Sequence, residues 1–304
     1  MIVGITGANG FIGNALLERH LLNGDYVRVL TRKERHFHSD VDIFIGDLSN
    51  SSIDLTNFVN GLEVLYHCAG EINNESLMYE LHVNGTQRLV DAAQKKVGRW
   101  VQLSSVGVYG SSRDDVVNEK SKEHPFGLYE QTKTESDNIV RSSCLSYVIL
   151  RPSNVFGIDM PNQSLRGLLK AVNKGLFFFI GKENKSLVNY IHVSDVVEAL
   201  ICCGSNDKAL GEVFNLSQST TVEKMITSFA FGMKSNKKIL RLPEGVVRMV
   251  VNILEHIPGF PLTSPRVDAL TGRCIYNSDK VQKILGFKYS MTLEEGFVLF
   301  AKQK

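Results

Sequence analysis

The chain opens on a run of mostly apolar β-formers, Met1-Ile2-Val3-Gly4-Ile5-Thr6. It passes at once into Gly7-x-x-Gly10-x-x-Gly13 and then into a helical pattern, Asn14 to Leu22. A strand turning sharply into a helix aims the helix's free N–H groups, and the positive end of its dipole, beyond the strand. Gly7 permits the tight turn, Gly10 lets backbone approach a diphosphate, and Gly13 lets the helix lie close to the sheet. The ligand implied is a dinucleotide. Glycines at this spacing carry that meaning only because a strand precedes them and a helix follows.

The rest of the first half repeats the same rhythm. Tyr26–Leu30, Asp42–Ile45, Val64–Cys68, Trp100–Ser104 and Tyr147–Arg151 read as strands, and Tyr79–Lys96 and Tyr129–Ser142 as helices. Such alternation predicts an α/β fold, a Rossmann-type doubly wound parallel sheet whose ligand lies beyond the C-terminal strand ends. After Arg151 the breakers become irregular (Gly157, Pro161, Gly175, Gly181). This divides the chain into a dinucleotide-binding core over 1–155 and a smaller substrate-binding lobe over 156–304, with some segments returning to the core.

With 304 residues, 43% hydrophobic and 22% charged, the chain has a globular composition and length for a full core. A net charge of +2 argues against a general nucleic-acid surface. The short basic runs, Arg32-Lys33-Glu34-Arg35 and Lys234 to Lys238, read as solvated loops. Five cysteines without a Cys-x-x-Cys pair read as mostly buried, reduced thiols, which fits a cytoplasmic protein. The first strand begins at the first residue, so no signal peptide is expected. The apolar stretch Val246–Ile257, broken by Arg248, Asn252 and Glu255, is short of the about 20 residues a membrane span needs. It reads as an amphipathic helix packed on the protein, with a membrane-surface or dimer contact as the alternative.

Tyr129-Glu130-Gln131-Thr132-Lys133 puts a phenol and an ammonium on one helical face. A nearby cation favours the phenolate and suits a tyrosine to acid/base work. Leu103-Ser104-Ser105-Val106-Gly107-Val108-Tyr109-Gly110 adds serines at a strand end. A hydroxyl there either holds a substrate oxygen or caps a turn.

These residues together resemble the extended short-chain dehydrogenase/reductase family of NAD(P)-dependent epimerases and dehydratases, in its nucleotide-sugar branch. The resemblance spans essentially the whole chain. It also rests on Gly46-Asp47-Leu48, His67-Cys68-Ala69-Gly70, Val83-Asn84-Gly85-Thr86, Arg151 to Gly157 and Tyr190 to Val196. It implies that Tyr129 is the general acid/base, that Lys133 lowers its pKa and holds the nicotinamide ribose, and that Ser105 is the catalytic hydroxyl. By the same resemblance the cofactor is held by Gly7, Asn9, Gly10, Phe11, Ile12 and Gly13, by Asp47 and Leu48 at the adenine, and by Cys68, Ala69 and Gly70 along the ribose and phosphates. Pro152 and Val155 would contact the nicotinamide. No metal is implied, and a homodimer through the helices of Tyr79–Lys96 and Tyr129–Ser142 is.

The chain departs from the family pattern in places. His82 stands where an Asn often supports a helix kink and proton relay, which puts that relay in doubt. Gly70 replaces a frequent Ala. Val188 stands where many sugar epimerases carry a diphosphate-gripping Arg.

The acidic residue of the NAD-preferring pattern is missing from the end of the second strand. Thr31-Arg32-Lys33 follows instead, and Arg32 could pair with a 2′-phosphate, so NADP is expected over NAD, with Glu34 as the contrary sign. Asn154 matches the family asparagine at the nucleotide-sugar diphosphate, or is a turn residue. Arg266 lies where sugar enzymes hold a phosphate, or is a surface arginine.

The resulting expectation is a 4-ketoreductase or 4-epimerase of a nucleotide sugar. The segment from Leu242 to Pro261 also resembles reductases of small hydrophobic ketones, steroid-like or flavonoid-like, which is the alternative. A dehydratase would need an added acid/base pair where Val106-Gly107 stand, and these cannot supply it. A non-catalytic NADP-sensing protein is the remaining reading, against which the intact Tyr129 and Lys133 argue.

Overall fold

The computed structural model describes residues 1–33, 40–110, 116–257 and 262–303. Glu34, Arg35 and Pro261 lie outside them. In chain order the strands are β1 (Ile2–Thr6), β2 (Tyr26–Thr31), β3 (Val41–Ile45), β4 (Leu62–His67), β5 (Val97–Leu103), β6 (Val116–Val117) and β7 (Tyr147–Pro152). They continue with β8 (Asn154–Phe156), β9 (Phe178–Ile180), β10 (Leu187–His192), β11 (Val213–Leu216), β12 (Gln218–Thr221), β13 (Leu240–Leu242) and β14 (Ile275–Tyr276). The helices are α1 (Phe11–Leu22), α2 (Thr56–Val59), α3 (Glu75–Tyr79), α4 (Gly85–Ala93), α5 (Leu128–Ser142) and α6 (Ser164–Lys174). After them come α7 (Val193–Ser205), α8 (Val222–Gly232), α9 (Glu244–Leu254), α10 (Ser264–Thr271), α11 (Asp279–Leu285) and α12 (Leu293–Lys302).

Among the described residues the main sheet has seven strands in the order β11-β7-β5-β4-β1-β2-β3, all parallel. Strands this apolar must be covered on both faces. On one face α1 and α7 supply Leu16, Leu17, Val196 and Leu200 against Val3, Ile5 and Val148. On the other, Leu89, Val90 and Val140 from α4 and α5 pack on Leu65 and Trp100. The strand order reverses direction between β1 and β4, which opens a crevice at their C-terminal ends.

After β7 the chain leaves the sheet. It builds a three-stranded sheet of β8, β10 and β12, and between β10 and β12 it returns to the main sheet to add β11 at the edge. A second apolar cluster centres on Phe156, Phe229, Phe297 and Phe300. Phe11, at the start of α1, packs against this cluster, so the glycine turn and the second cluster are in direct contact.

One predicted helix is not continuous. Tyr79–Lys96 resolves into the end of α3, a π-helical turn over Glu80–Asn84, and α4. Four of the five cysteines are buried or half-buried as thiols, whereas Cys144, just past α5, is exposed.

Candidate active site

The glycine turn shows why glycine is required. Gly7 has φ +74°, and a Cβ there would stand 2.7 Å from Ala69 N and from the Cys68 carbonyl carbon and oxygen. The end of β1 therefore lies flush against the end of β4, at the point where the strand order reverses. A Cβ on Gly13 would come 2.2 Å from Gly7 O, so α1 seats directly on the turn. Gly10 N donates to Gly7 O at 2.9 Å. Gly10 is the N-cap of α1. Among the described residues no side chain caps the first N–H groups, at Phe11, Ile12 and Gly13, and no acid stands in that turn. This cradle fits the diphosphate of a dinucleotide.

The expected cofactor residues surround that cradle. Asn9 is exposed, and its Nδ2 donates to Thr31 Oγ1 at 2.6 Å, tying the turn to the end of β2. Asp47, after β3, accepts from the Ser49 backbone and hydroxyl at 2.9 and 2.6 Å. Burial alone would raise its carboxyl, but the Ser49 bonds and the nearby Arg32 charge hold it below the usual range. Leu48 is buried beside Gly85. Arg32 is exposed beyond β2, and its charge reaches both Asp47 and Glu71. Cys68 and Ala69 are half-buried and Gly70 exposed at the end of β4; burial pushes the Cys68 thiol up to about 12. Pro152 is buried at the end of β7, and Val155 packs on the main core from β8.

Tyr129 and Lys133 both sit on α5. Lys133 is buried, and its Nζ donates to Leu103 O at 2.7 Å, the carbonyl that ends β5. Burial lowers its pKa, opposed by the negative charge of Asp137 and by Cys68. The half-buried Tyr129 phenol is pushed up to about 12, first by burial and then by the carboxylates of Glu130 and Asp137. In this geometry the phenol is therefore not drawn down as the sequence suggested. The ammonium is turned to the β5 carbonyl, and burial dominates.

The serines divide their work. Ser104 is buried and donates to Asp137 Oδ2 at 2.8 Å, so it is structural. Ser105 is half-buried and caps the short turn Val106–Tyr109, accepting from Gly107 N at 3.1 Å. Accepting that bond uses an oxygen lone pair and leaves the Ser105 O–H free to donate elsewhere. Glu130 fills the space that Gly107 leaves: a Cβ there would be 2.9 Å from Glu130 Cγ and 3.3 Å from Ser105 Oγ.

Behind these groups runs a buried polar chain that sequence reading missed. Glu71 N–H donates to His82 Nε2 at 2.8 Å, so Nδ1 carries the proton and donates to Thr132 Oγ1 at 2.8 Å. Thr132 in turn donates to the carbonyls of Leu128 and Tyr129. The π-turn thus places His82 against α5, its ring edge-on to Tyr129 at 5.7 Å. π-turns of this kind recur at functional sites. The sequence put the proton relay in doubt; the kink itself is present as this π-helical turn, and His82 braces it against α5. Burial, then the Lys133 charge, pushes His82 down to about 3, and His67 likewise.

A second network joins Asp137 to Arg151 at 2.9 Å, both buried, with Arg151 also bonded to Tyr109 and Glu123. The signal for Asp137 was present, because positions 129, 133 and 137 recur every fourth residue on one helical face.

The substrate candidates are farther apart in kind. Asn154 is exposed on β8, and its Nδ2 donates to Asn189 O on β10 at 3.2 Å. Arg266 is exposed on α10. Val188 is buried in the second cluster, so its side chain serves packing.

The profile of the NAD dependent epimerase/dehydratase family matches residues 3–217. UDP-glucose 4-epimerase of Vibrio cholerae is 24% identical over 96% of this chain and 92% of its own. N-acetyl-alpha-D-glucosaminyl-diphospho-ditrans,octacis-undecaprenol 4-epimerase of Escherichia coli O157:H7 is 26% identical over 96% and 92%. The decarboxylating sterol-4-alpha-carboxylate 3-dehydrogenase of Mus musculus is 25% identical over 96% and 87%. The fold is that of UDP-glucuronic acid 4-epimerase from Bacillus cereus in complex with NAD, with a TM-score of 0.76 and 18% identity over all of this chain and 97% of that one. A diphosphate cradle at a strand-order reversal, a tyrosine–lysine helix beside it and a family profile spanning both lead to one conclusion: this chain is an enzyme of the NAD dependent epimerase/dehydratase family.

Proposed function

We propose that the enzyme interconverts a hydroxyl and a ketone at C4 of a nucleotide sugar, as a 4-ketoreductase or a 4-epimerase. The observation that carries this reading is the junction of α5 with the end of β5. There Lys133 Nζ is fixed on Leu103 O while the Ser105 hydroxyl keeps its proton to donate. When bound, the nicotinamide supplies the hydride acceptor and donor. Ser105 donates to the sugar's C4 oxygen and holds it in place. Tyr129 removes that oxygen's proton on oxidation and returns it on reduction. For Lys133 to stabilise the phenolate that this requires, its ammonium must turn from Leu103 O toward the phenol. Asn154 and Arg266 are the candidates to grip the diphosphate, and residues 156–304 serve mainly as the lobe that holds the sugar nucleotide. The relative named as a UDP-glucose 4-epimerase supports the nucleotide-sugar class, and both 4-epimerase relatives support reaction at C4. An epimerase would present both faces of the ketone in turn and keep its cofactor bound.

In the same reading Arg32, exposed beyond β2, pairs with a 2′-phosphate and favours NADP. Dissociation constants for NADPH and NADH, in wild type and Arg32→Ala, test this; equal affinities in the wild type would sink it. The exposed faces of α4 and α5 are read as the homodimer surface, measurable by sedimentation equilibrium.

A thermal-shift panel with UDP- and dTDP-sugars tests the substrate class, because a ligand stabilises the state it binds. UDP- or dTDP-sugars should raise the melting temperature, and turnover should follow at C4. The sterol-4-alpha-carboxylate dehydrogenase relative favours a second reading, a hydrophobic ketone or alcohol as substrate. No shift with any nucleotide sugar, together with turnover of apolar ketones, would replace the first reading with the second.

A further inference from the structure

We propose that α9 docks this enzyme peripherally on an anionic lipid surface. The inner side of α9 is ordinary: Val247 and Val251 are buried against Ile180 and Val267. The outer side is not. Val246, Met249, Val250 and Ile253 are 52%, 65%, 43% and 68% exposed, and Ile257 just beyond the helix is 54% exposed. Their spacing puts them on one stripe. A helix packed on a globular core turns polar residues to water; this one turns apolar residues both ways. Its charged residues are engaged at the sides. Arg248 bonds Glu244 and Asp268, and Glu255 takes the backbone and hydroxyl of Ser264.

The charge carried ahead of α9 in the chain selects the occupant. Lys234, Lys237 and Lys238 lead into β13, which leads into α9, and all of them are exposed. Among the described residues no carboxylate pairs with any of them. The neighbouring acids Glu223, Glu244 and Asp268 are already held by Arg241 and Arg248. An apolar stripe preceded in the chain by unneutralised lysines matches acyl chains below anionic headgroups. A second copy is a poorer match, because it would bring the same lysine charge rather than the opposite one. Among the described residues no helix is long and apolar enough to cross a membrane, so the attachment is to the surface.

Co-sedimentation with vesicles tests the proposal. Wild-type protein should pellet with equal parts phosphatidylcholine and phosphatidylglycerol, pellet poorly with phosphatidylcholine alone, and be released as salt is raised. Ile253→Glu and, as a second variant, Met249→Asp should each lower the bound fraction about tenfold. Lys237→Glu with Lys238→Glu should abolish the preference for the anionic vesicles. Far-ultraviolet circular dichroism must match wild type in each variant. Ile253→Trp should show blue-shifted emission on the mixed vesicles only.

Absence of wild-type binding to either vesicle, or Ile253→Glu and Met249→Asp binding as wild type does, would overturn the proposal. So would a fall in sedimentation mass in those variants, which would make the stripe an interface between copies. Turnover of soluble nucleotide sugars without vesicles is measured separately and should be unchanged in these variants. A failure of the sugar reading is therefore distinguishable from a failure of docking.

Discussion

His82 Nδ1 lies 2.8 Å from Thr132 Oγ1, and that contact ties the π-helical turn to the helix carrying Tyr129. Because Nε2 accepts from Glu71 N–H, a protonated ring would break the arrangement. The ring therefore stays neutral to about pH 3, and the buried His67 behaves in the same way. In the unfolded chain both would take up a proton below their ordinary pKa of about 6.5. The unfolded state then binds more protons, so stability is fully present above pH 6.5 and falls as pH drops toward 3. The slope should be about 1.4 kcal/mol per pH unit for each histidine. Urea denaturation of wild type and His82→Asn between these pH values measures it, and the variant should lose one histidine's share of the slope.

Glu130 raises the phenol of Tyr129 and packs over Gly107. Glu130→Gln removes that charge and should move the phenol's titration to lower pH, with the fold unchanged. Ultraviolet difference titration against Tyr129→Phe reads the shift directly. A phenol that titrates higher, or does not move, would contradict the electrostatic account. Tyr129→Phe should itself lower kcat by about 10²–10⁴-fold.

Two glycines with nearly equal φ should respond differently to alanine. Gly7 at φ +74° is packed against Cys68 and Ala69, while Gly24 at φ +76° has nothing within 4 Å. Gly24→Ala should cost about 1–2 kcal/mol from the left-handed conformation alone and leave dinucleotide affinity intact. Gly7→Ala should cost more and abolish binding of NADH and NADPH by titration calorimetry.

The buried pair of Asp137 and Arg151 should show the asymmetry of buried charges. Arg151→Met leaves Asp137 and the Ser104 bond without their cation, and should cost about 3–5 kcal/mol in urea denaturation. Adding Asp137→Asn in the same chain should recover part of that loss, because the uncompensated charge is gone.

Much of this could be read along the chain. The strand–glycine–helix order gave the cradle, since Gly7 and Gly13 are dictated by contacts within the opening segment and its nearest strand. Tyr129 and Lys133 were legible because helical spacing alone puts them on one face. What stayed hidden were groups whose meaning depends on partners far along the chain. Ser104 and Ser105 are neighbours of the same type. Yet Ser104 meets Asp137, 33 positions away, while Ser105 turns back to Gly107. The rise of the Tyr129 pKa was likewise illegible, because burial is a property of everything packed around a residue.

The amino-acid order by itself determined the alternation of strands and helices, the turn that seats α1, and the helical face shared by phenol and ammonium, all set by local geometry and periodicity. Only the tertiary structure decided that His82 would brace the tyrosine's helix, that the lysine would face a strand carbonyl, and that α9 would leave an apolar stripe in water. Those outcomes follow from desolvation and from contacts between distant segments, which take definite values only when the whole core has closed.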